Sequence, residues 1–369
     1  MRHAQQTRRR RASLPGSPPP WRSRFLALVL GALLAPAPVV AVEVPWLYEV
    51  TVPVADQSAS ARLDAGSRAL AQLLTRLTGL TSVPRNEAVT RALNAPDLYF
   101  NQFGFVRERE DDRDVLKLRL HFMPQPVLDL IREANLPVWP SNRPSVLAWI
   151  VVDDGMVRRI LGSADAEHPL VAALEQRCRE RGVPLRLPLL DLTDQLTVEP
   201  AAVWGRLDQI LEPASTRYGA DTILIGRLQL MPDQEWRAEW DFRADGLPRQ
   251  SIQQAGDPAA LGRAAADLIA DELAARYAVF DRGVRRVELS VSEVERAVDY
   301  AELLRYLNGL EFVQGVTVSA AAGDRLQLSL LTAADTEQLL ELFSLDRRLL
   351  PDRSQVLPGP QLPLIWQRR

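Results

Sequence analysis

Residues Tyr218–Arg243 read YGADTILIGRLQLMPDQEWRAEWDFR, inside a longer stretch, Arg181–Phe242, around which the chain is organised. Gly219 supplies a left-handed cap, and the residues after Asp221 turn β-branched and apolar, so a helix ends here and a strand begins. Thr222, Leu224, Gly226, Leu228 and Leu230 share one face of that strand. Ile223 and Ile225 line the other, which turns polar at Arg227 and Gln229. A strand apolar on both faces is buried, and this one emerges toward its end. Met231-Pro232-Asp233-Gln234 makes a turn. The return strand then alternates, with Trp236, Ala238, Trp240 and Phe242 on one face and Arg237, Glu239, Asp241 and Arg243 on the other. The aromatic stripe is expected in the core and the charged face in water. An exposed stripe would instead mark an interaction site. The charged face and the free edge of the hairpin are the surfaces left for a partner.

Upstream of this hairpin, Val146–Val152 is a continuous apolar strand, followed by a helix from about Pro169, a short strand Pro184–Leu187 and a helix near Pro200–Leu211. Downstream, a strand near Gln250–Gln253 leads to an Ala-rich helix, Pro258–Tyr277. Alternating strands and helices that end in a meander predict a mixed-sheet α/β module over 143–280. An amino-terminal module over 42–137 reads β-α-β-β-α. Its strand is Val44–Val54, where Pro53 signals an edge, and a helix capped by Asp56 or Ser58 carries the stripe Leu63, Leu70, Leu73, Leu74 and Leu77 to a stop at Gly79. Strands Leu98–Val106 and Val115–Phe122 flank the charged tip Arg107–Asp114, and a helix near Pro126–Ala134 follows. A second β-α-β-β-α pattern over 284–350 has the order of a ferredoxin-like split unit. Pro137, Pro140 and Pro144 mark the first boundary and Asp281-Arg282-Gly283 the second; both are expected to be open to proteases. The tail, 351–369, carries Pro351, Pro358, Pro360 and Pro363 and is expected to be extended.

The chain has 369 residues, is 47% hydrophobic and 25% charged, and carries a formal charge of −3. That balance conceals an asymmetry, because residues 1–41 hold seven arginines and no acid. Without them 37 basic residues face 47 acidic ones, a net of −10. An acidic body with a single lysine, Lys117, argues against nucleic acid as a partner, since phosphate needs clustered positive charge. After the arginines come the apolar run Phe25–Ala35, prolines, and Val39-Val40-Ala41. A basic region, a short apolar core and small residues before a cut are the parts of a secretory signal. Cleavage is expected after Ala41, giving a periplasmic protein. The run is about half the ~20 residues that a membrane-spanning helix needs. Cys178 is the only cysteine, so no intrachain disulfide is possible and no lipid anchor is expected at the cleavage site. It falls on the apolar face of its helix, as a buried thiol does.

Chemistry is sparse. His121 and His168 have no partners at metal-ligand spacing, and no cofactor, metal or catalytic residue is assigned. There is no G-x-S-x-G elbow, phosphate loop or dinucleotide fingerprint. Asp191 and Asp194 in LPLLDLTDQL form the best carboxylate pair for a metal-assisted hydrolase. The plainer reading makes Asp194 or Thr193 a helix cap. Asp153-Asp154-Gly155 after a buried strand either binds a ligand or forms a turn, and the turn is favoured. Arg62, Arg68 and Arg76 do not share one helical face and read as solvated charges.

VPVADQS (Val52–Ser58), LLTRLTG (Leu73–Gly79), RGVPLRLPLLD (Arg181–Asp191) and ASTRYGADTILIGR (Ala214–Arg227) together resemble an exported proteobacterial family, domain-of-unknown-function family 2066. The likeness runs from about Trp46 to Leu350 and brings no catalytic residues; it implies export and an envelope role. The middle module is more loosely similar in element order to TolB amino-terminal, curli-secretion and penicillin-binding-protein-activator envelope domains. The leading reading is therefore a non-enzymatic periplasmic module that binds another envelope protein or a peptidoglycan-associated component. The alternatives are a hydrolase using Asp191/Asp194 or Asp153/Asp154, and a self-assembling scaffold.

Overall fold

A computed structural model describes residues 46–110, 113–244, 248–280, 283–354 and 361–368. The expected leader and its cut site, Asp111 and Asp112 of the hairpin tip, Asp281 and Arg282 of the second boundary, and Pro358 and Pro360 of the tail lie outside the described residues. The fold is mixed α/β, built on three sheets.

The first sheet is antiparallel, with β1 (Glu49–Pro53), β2 (Phe100–Glu110) and β3 (Arg113–Phe122) in the order β1-β3-β2. Pro53 therefore stands on an edge strand, where its missing N–H costs no ladder bond. Helix α1 (Ala59–Thr78) starts where Ser58 Oγ accepts from the Ala61 amide, and stops at Gly79, whose φ of 72° suits a residue without a Cβ. Leu70, Leu73, Leu74 and Leu77 are buried as expected, but Leu63 is 42% exposed. Ala65, Gly66 and Ala69 form the buried arc there instead, and bring the helix close to Pro96 and Phe100. Helices α2 (Glu87–Asn94) and α3 (Pro124–Glu133) complete this layer.

The second sheet has β5 (Arg158–Leu161), β4 (Val146–Asp153), β7 (Thr222–Leu230), β8 (Trp236–Arg243) and β9 (Arg249–Ala255) in that order, with β6 (Leu185–Arg186) also beside β4. β4 and β7 run parallel, as helical crossovers require. Helices α4 (Pro169–Arg181) and α8 (Pro258–Tyr277) pack on one face. They approach closely because Gly262 has no side chain: a Cβ there would lie 3.0 Å from the Leu174 amide nitrogen. Three short helices, α5 (Leu192–Thr197), α6 (Pro200–Gly205) and α7 (Asp208–Thr216), occupy the stretch expected as one loop and one helix. The single helix expected near Pro200–Leu211 is broken because Arg206 adopts a left-handed conformation, φ 54°.

The hairpin Thr222–Arg243 forms as read, and its aromatic face is core: Trp240, Ala238 and Phe242 are buried in one cluster with Leu261, Ala265 and Ile269 of α8. Two expectations about its surroundings need correction. Its free edge does not exist, because β9 pairs along the whole of β8. Its charged face is also not open to water. Asp241 is buried, Arg243 pairs with Asp208 of α7, and Glu239 pairs with Arg206 at 3.2 Å and with Arg227. Charged residues alternate along the strand because the two short helices bring complementary charges to them.

The third sheet contains β10 (Arg285–Ser292), β11 (Val313–Ala322), β12 (Arg325–Thr332), β13 (Leu349–Pro351) and β14 (Leu362–Trp366), in the order β11-β12-β10-β14-β13. Helices α9 (Ala297–Gly309) and α10 (Thr336–Asp346) cross between its strands. The first and third sheets share one arrangement, with the third strand inserted antiparallel between the first two. The tail is not a free extension. β14 enters the sheet parallel to β10 and antiparallel to β13, with Leu364 and Trp366 fully buried. Its prolines mislead because Pro363 stands among apolar residues at strand spacing, and its carbonyl still accepts from the Asp352 amide at 2.9 Å.

Apolar residues from one face of the second sheet form one continuous cluster with those of the third, the other face packs with the short helices in a separate cluster, and the first sheet has its own. The segment between them, Pro137–Pro144, is not an open linker: Val138, Trp139 and Arg143 are buried. Arg143 donates to the carbonyls of Trp139 (3.0 Å), Pro140 (3.0 Å), Gly182 (2.8 Å) and Arg76 (2.8 Å). Arg76 is buried too, against the reading of it as a solvated charge, and donates to Leu47 and Glu49 carbonyls at 2.9 and 2.8 Å. Burial pushes the guanidinium of Arg143 down to about 9 and that of Arg76 to about 10. Carbonyl oxygens rather than carboxylates hold these two cations, so nothing in the periodicity of charge signals them.

Candidate functional site

Asp191 and Asp194 are brought together, at the start of α5. Asp191 caps the helix by accepting from the Asp194 amide at 3.1 Å, so the cap is the first aspartate of the pair and not Asp194 or Thr193. Asp194 turns inward and is buried, accepting from the Leu190 amide at 2.9 Å and from the Tyr218 hydroxyl. Arg217 spans both carboxylates, at 2.6 Å to Asp191 Oδ2 and 2.8 Å to Asp194 Oδ1. The guanidinium holds the Asp191 carboxyl well below the usual carboxylate range. Burial, with the Asp194 bond second, pushes the Tyr218 hydroxyl up to about 12. Tyr218 also accepts from the Leu189 amide at 2.9 Å and meets Trp149 edge-on, so the cluster is anchored in the core.

This arrangement suits structure better than hydrolysis. A carboxylate pair that works on a metal or as acid and base needs open lone pairs, and here the guanidinium, one hydroxyl and two amides take them. Arg217 and Tyr218 lie within the phrase ASTRYGADTILIGR; their neighbourhood to Asp191 depends on the crossover that returns the chain to β7, which residue spacing does not show.

Asp153 and Asp154 form the turn between β4 and β5. Asp153 pairs with Arg158 at 2.7 Å, and this bond lowers its carboxyl below the ordinary range. Asp154 accepts from the amides of Met156 and Val157 at 2.9 and 2.8 Å. The two carboxylate pairs thus have separate partners, and neither borders the surface depressions of about 340 and 410 Å³ that flank Arg276. Among the described residues no three His, Cys, Asp or Glu side chains converge as a metal site would require. Cys178 is buried, and burial pushes its thiol up.

The unusual feature of α5 is its orientation. In an amphipathic helix the apolar side faces the core. Here the one buried residue is Asp194, while Leu192 and Leu196 are 70% and 76% exposed and Leu189, just before the helix, is 58% exposed. The i, i+4 leucines were open to view in LPLLDLTDQL, but their periodicity points to a core face, and only the inward turn of Asp194 reverses it.

A family model described as Domain of unknown function (DUF8605) matches residues 41–140. The match takes in the whole first sheet with α1 to α3, the phrases VPVADQS and LLTRLTG, and the chain as far as Pro140. No curated protein matches the chain. Residues 41–140 are therefore an uncharacterised domain, and α5 and the tryptophan hairpin lie beyond it.

Proposed function

We propose that this chain is an exported envelope protein that works by binding, holding a partner protein against the ridge of Leu189, Leu192 and Leu196. The observation that supports this reading is the inversion of α5, which exposes leucines and buries an aspartate. Burying Asp194 is costly unless it is fully bonded, and Arg217, Tyr218 and the Leu190 amide supply those bonds. The outcome is a rigid platform for three apolar side chains. Rigid apolar anchors lose little entropy on binding and form the centres of interfaces. The arginine-rich start and the apolar run Phe25–Ala35 support export to the periplasm with cleavage after Ala41, and the family 2066 resemblance supports the same destination. The acidic body argues against nucleic acid. Among the described residues no helix is long and apolar enough to cross a membrane.

The test places a photo-reactive amino acid at Leu196 in living cells, with a second at exposed Thr317 as the control. The expected result is a discrete adduct from Leu196 that disappears in a Leu192→Asp background, in a mature protein that begins at Val42 and leaves with the osmotic-shock fluid. Equal labelling from Thr317 would overturn the binding surface, and recovery of the full-length chain in the inner membrane would overturn export. A hydrolytic activity lost in Asp194→Asn with its fold intact would replace this reading with the enzymatic one.

A further inference from the structure

The edges of the three sheets are unequally protected. Edge strands pair with other chains unless charge, proline, bulges or short length prevent it. β1 is guarded, because Pro53 has no N–H and the carbonyls of Pro53 and Glu49 are taken by Arg68 and Arg76, each at 2.8 Å. β5 opens with Arg158 and Arg159, and β2 carries Arg107, Glu108 and Arg109 near its end. β11 is interrupted by register shifts between Val313 and Gly315 and between Val318 and Ala320. β13 has 3 residues and ends in Pro351. β9 carries none of these past Arg249: Gln250–Ala255 is uncharged and its ladder to β8 is unbroken.

The direction of its backbone groups follows from the hairpin. Met231 N donates to the Glu235 carbonyl at 2.8 Å, so Arg237, Glu239, Asp241 and Arg243 belong to the pairs that bond across to β7. The alternate residues of β8 bond to β9, which turns Arg249, Ser251, Gln253 and Ala255 toward β8. The N–H and C=O groups of Gln250, Ile252 and Gln254 therefore point out of the open edge. Ile252 is the middle residue of the strand and its one large apolar side chain, 62% exposed.

We propose that β9 pairs antiparallel with β9 of a second copy of this chain, about a two-fold axis through Ile252. In that register Ile252 meets the second copy's Ile252, and Gln250 meets the second copy's Gln254. Every outward N–H and C=O then finds an outward partner, whereas a slip of one residue sets outward groups against inward ones. Ser251 lies opposite Gln253, and the Gln250–Gln254 and Ile252–Ile252 pairs cover the other face. Arg249 meets Ala255, so no like charges are apposed, and its guanidinium stays on Glu272 at 2.8 Å. A two-fold interface must be complementary to itself. The run Gln250-Ser251-Ile252-Gln253-Gln254 is polar at both flanks of one apolar residue when read from either end, which favours a second copy over an unrelated strand. No residue of the α5 ridge takes part in this edge.

Sedimentation of the mature chain tests it. A dimer is expected at tens of micromolar, and Ile252→Lys should weaken it about tenfold or more by placing like charges on the axis while leaving the melting curve of the monomer unchanged. A second measurement fixes the register. Residues in a hydrogen-bonded antiparallel pair have Cα atoms about 5.5 Å apart, a distance a disulfide spans, and the native Cys178 is buried. Ile252→Cys is expected to cross-link to its copy under mild oxidation, and Gln254→Cys alone is not. A monomer at all concentrations, a dimer indifferent to Ile252→Lys, or equal cross-linking by Gln254→Cys would each overturn the proposal.

Discussion

The six-membered ring of Trp240 lies directly against Gly226 on the neighbouring strand: a Cβ at 226 would stand 2.8 Å from Trp240 Cε3 and closer still to Cζ3. The absent side chain is what admits the indole. Gly226→Ala should therefore destabilise the protein by about 1–3 kcal/mol through overpacking, and Trp240→Ala by about 3–5 kcal/mol through the cavity it leaves. The two residues touch, so the double variant should cost less than the sum of the single ones. Urea melts of the four proteins measure this; strict additivity would mean that ring and glycine do not share a site.

Arg143 binds the first sheet's layer to the second by donating to carbonyl oxygens, with its guanidinium stacked 3.9 Å over the Trp139 ring. Arg143→Ala leaves several buried acceptors unpaired, each worth about 1–3 kcal/mol, and Arg143→Lys should not rescue it because an ammonium lacks the planar fork. In the wild type Pro137–Pro144 should resist limited proteolysis, contrary to what its prolines imply. Early cuts there should appear only in the Arg143 variants, as read by mass spectrometry of the fragments.

Acid should weaken the fold through carboxylates held ionised. The Arg296 guanidinium holds Asp299 at about 2, and Arg217 holds Asp191 below its ordinary range. Both folded values lie under the unfolded ones, so the stabilisation is complete above roughly pH 4 and is lost as pH falls through the folded values. The urea midpoint should drop between pH 5 and pH 2. Asp299→Asn should be less stable than wild type at pH 5 and should show a shallower acid slope; a slope equal to wild type would remove Asp299 from this account.

The α5 platform separates support from surface. Leu196→Asp changes an exposed side chain and should shift stability by no more than about 0.5 kcal/mol. Asp194→Ala leaves the Leu190 amide and the Tyr218 hydroxyl without their acceptor while Arg217 keeps Asp191, and should cost about 1–3 kcal/mol for each group left unpaired. Thermal melts read both, and a Leu196→Asp protein as damaged as Asp194→Ala would show that the leucines serve the fold.

Local pattern made the tryptophan hairpin, the caps at Ser58 and Gly79 and the two split units readable, because periods of 2 and 3.6 and cap chemistry act over a few residues. Long-range placement was not readable. Arg76 looks like any surface arginine until the chain brings the Trp46–Glu49 carbonyls to it. Leu192 and Leu196 look like a core face until Arg217, from the far side of α6 and α7, draws Asp194 inward. Pro363 reads as a linker residue until β10 offers its neighbours a parallel edge. In each case the deciding partner is distant in sequence, where residue spacing holds no information.

The position of β14 has a consequence for how the chain is made. Synthesis delivers residues in order, and domains assemble as units once their segments are present. β10 emerges early but its neighbour Leu362–Trp366 emerges late, and Trp366 fills the centre of that layer only then. Until the last strand arrives, the apolar flank of β10 has no occupant and its cluster, shared with the second sheet, stays unsealed. β14 therefore acts as the latch of this layer, and the core that it seals closes only once Trp366 has been made.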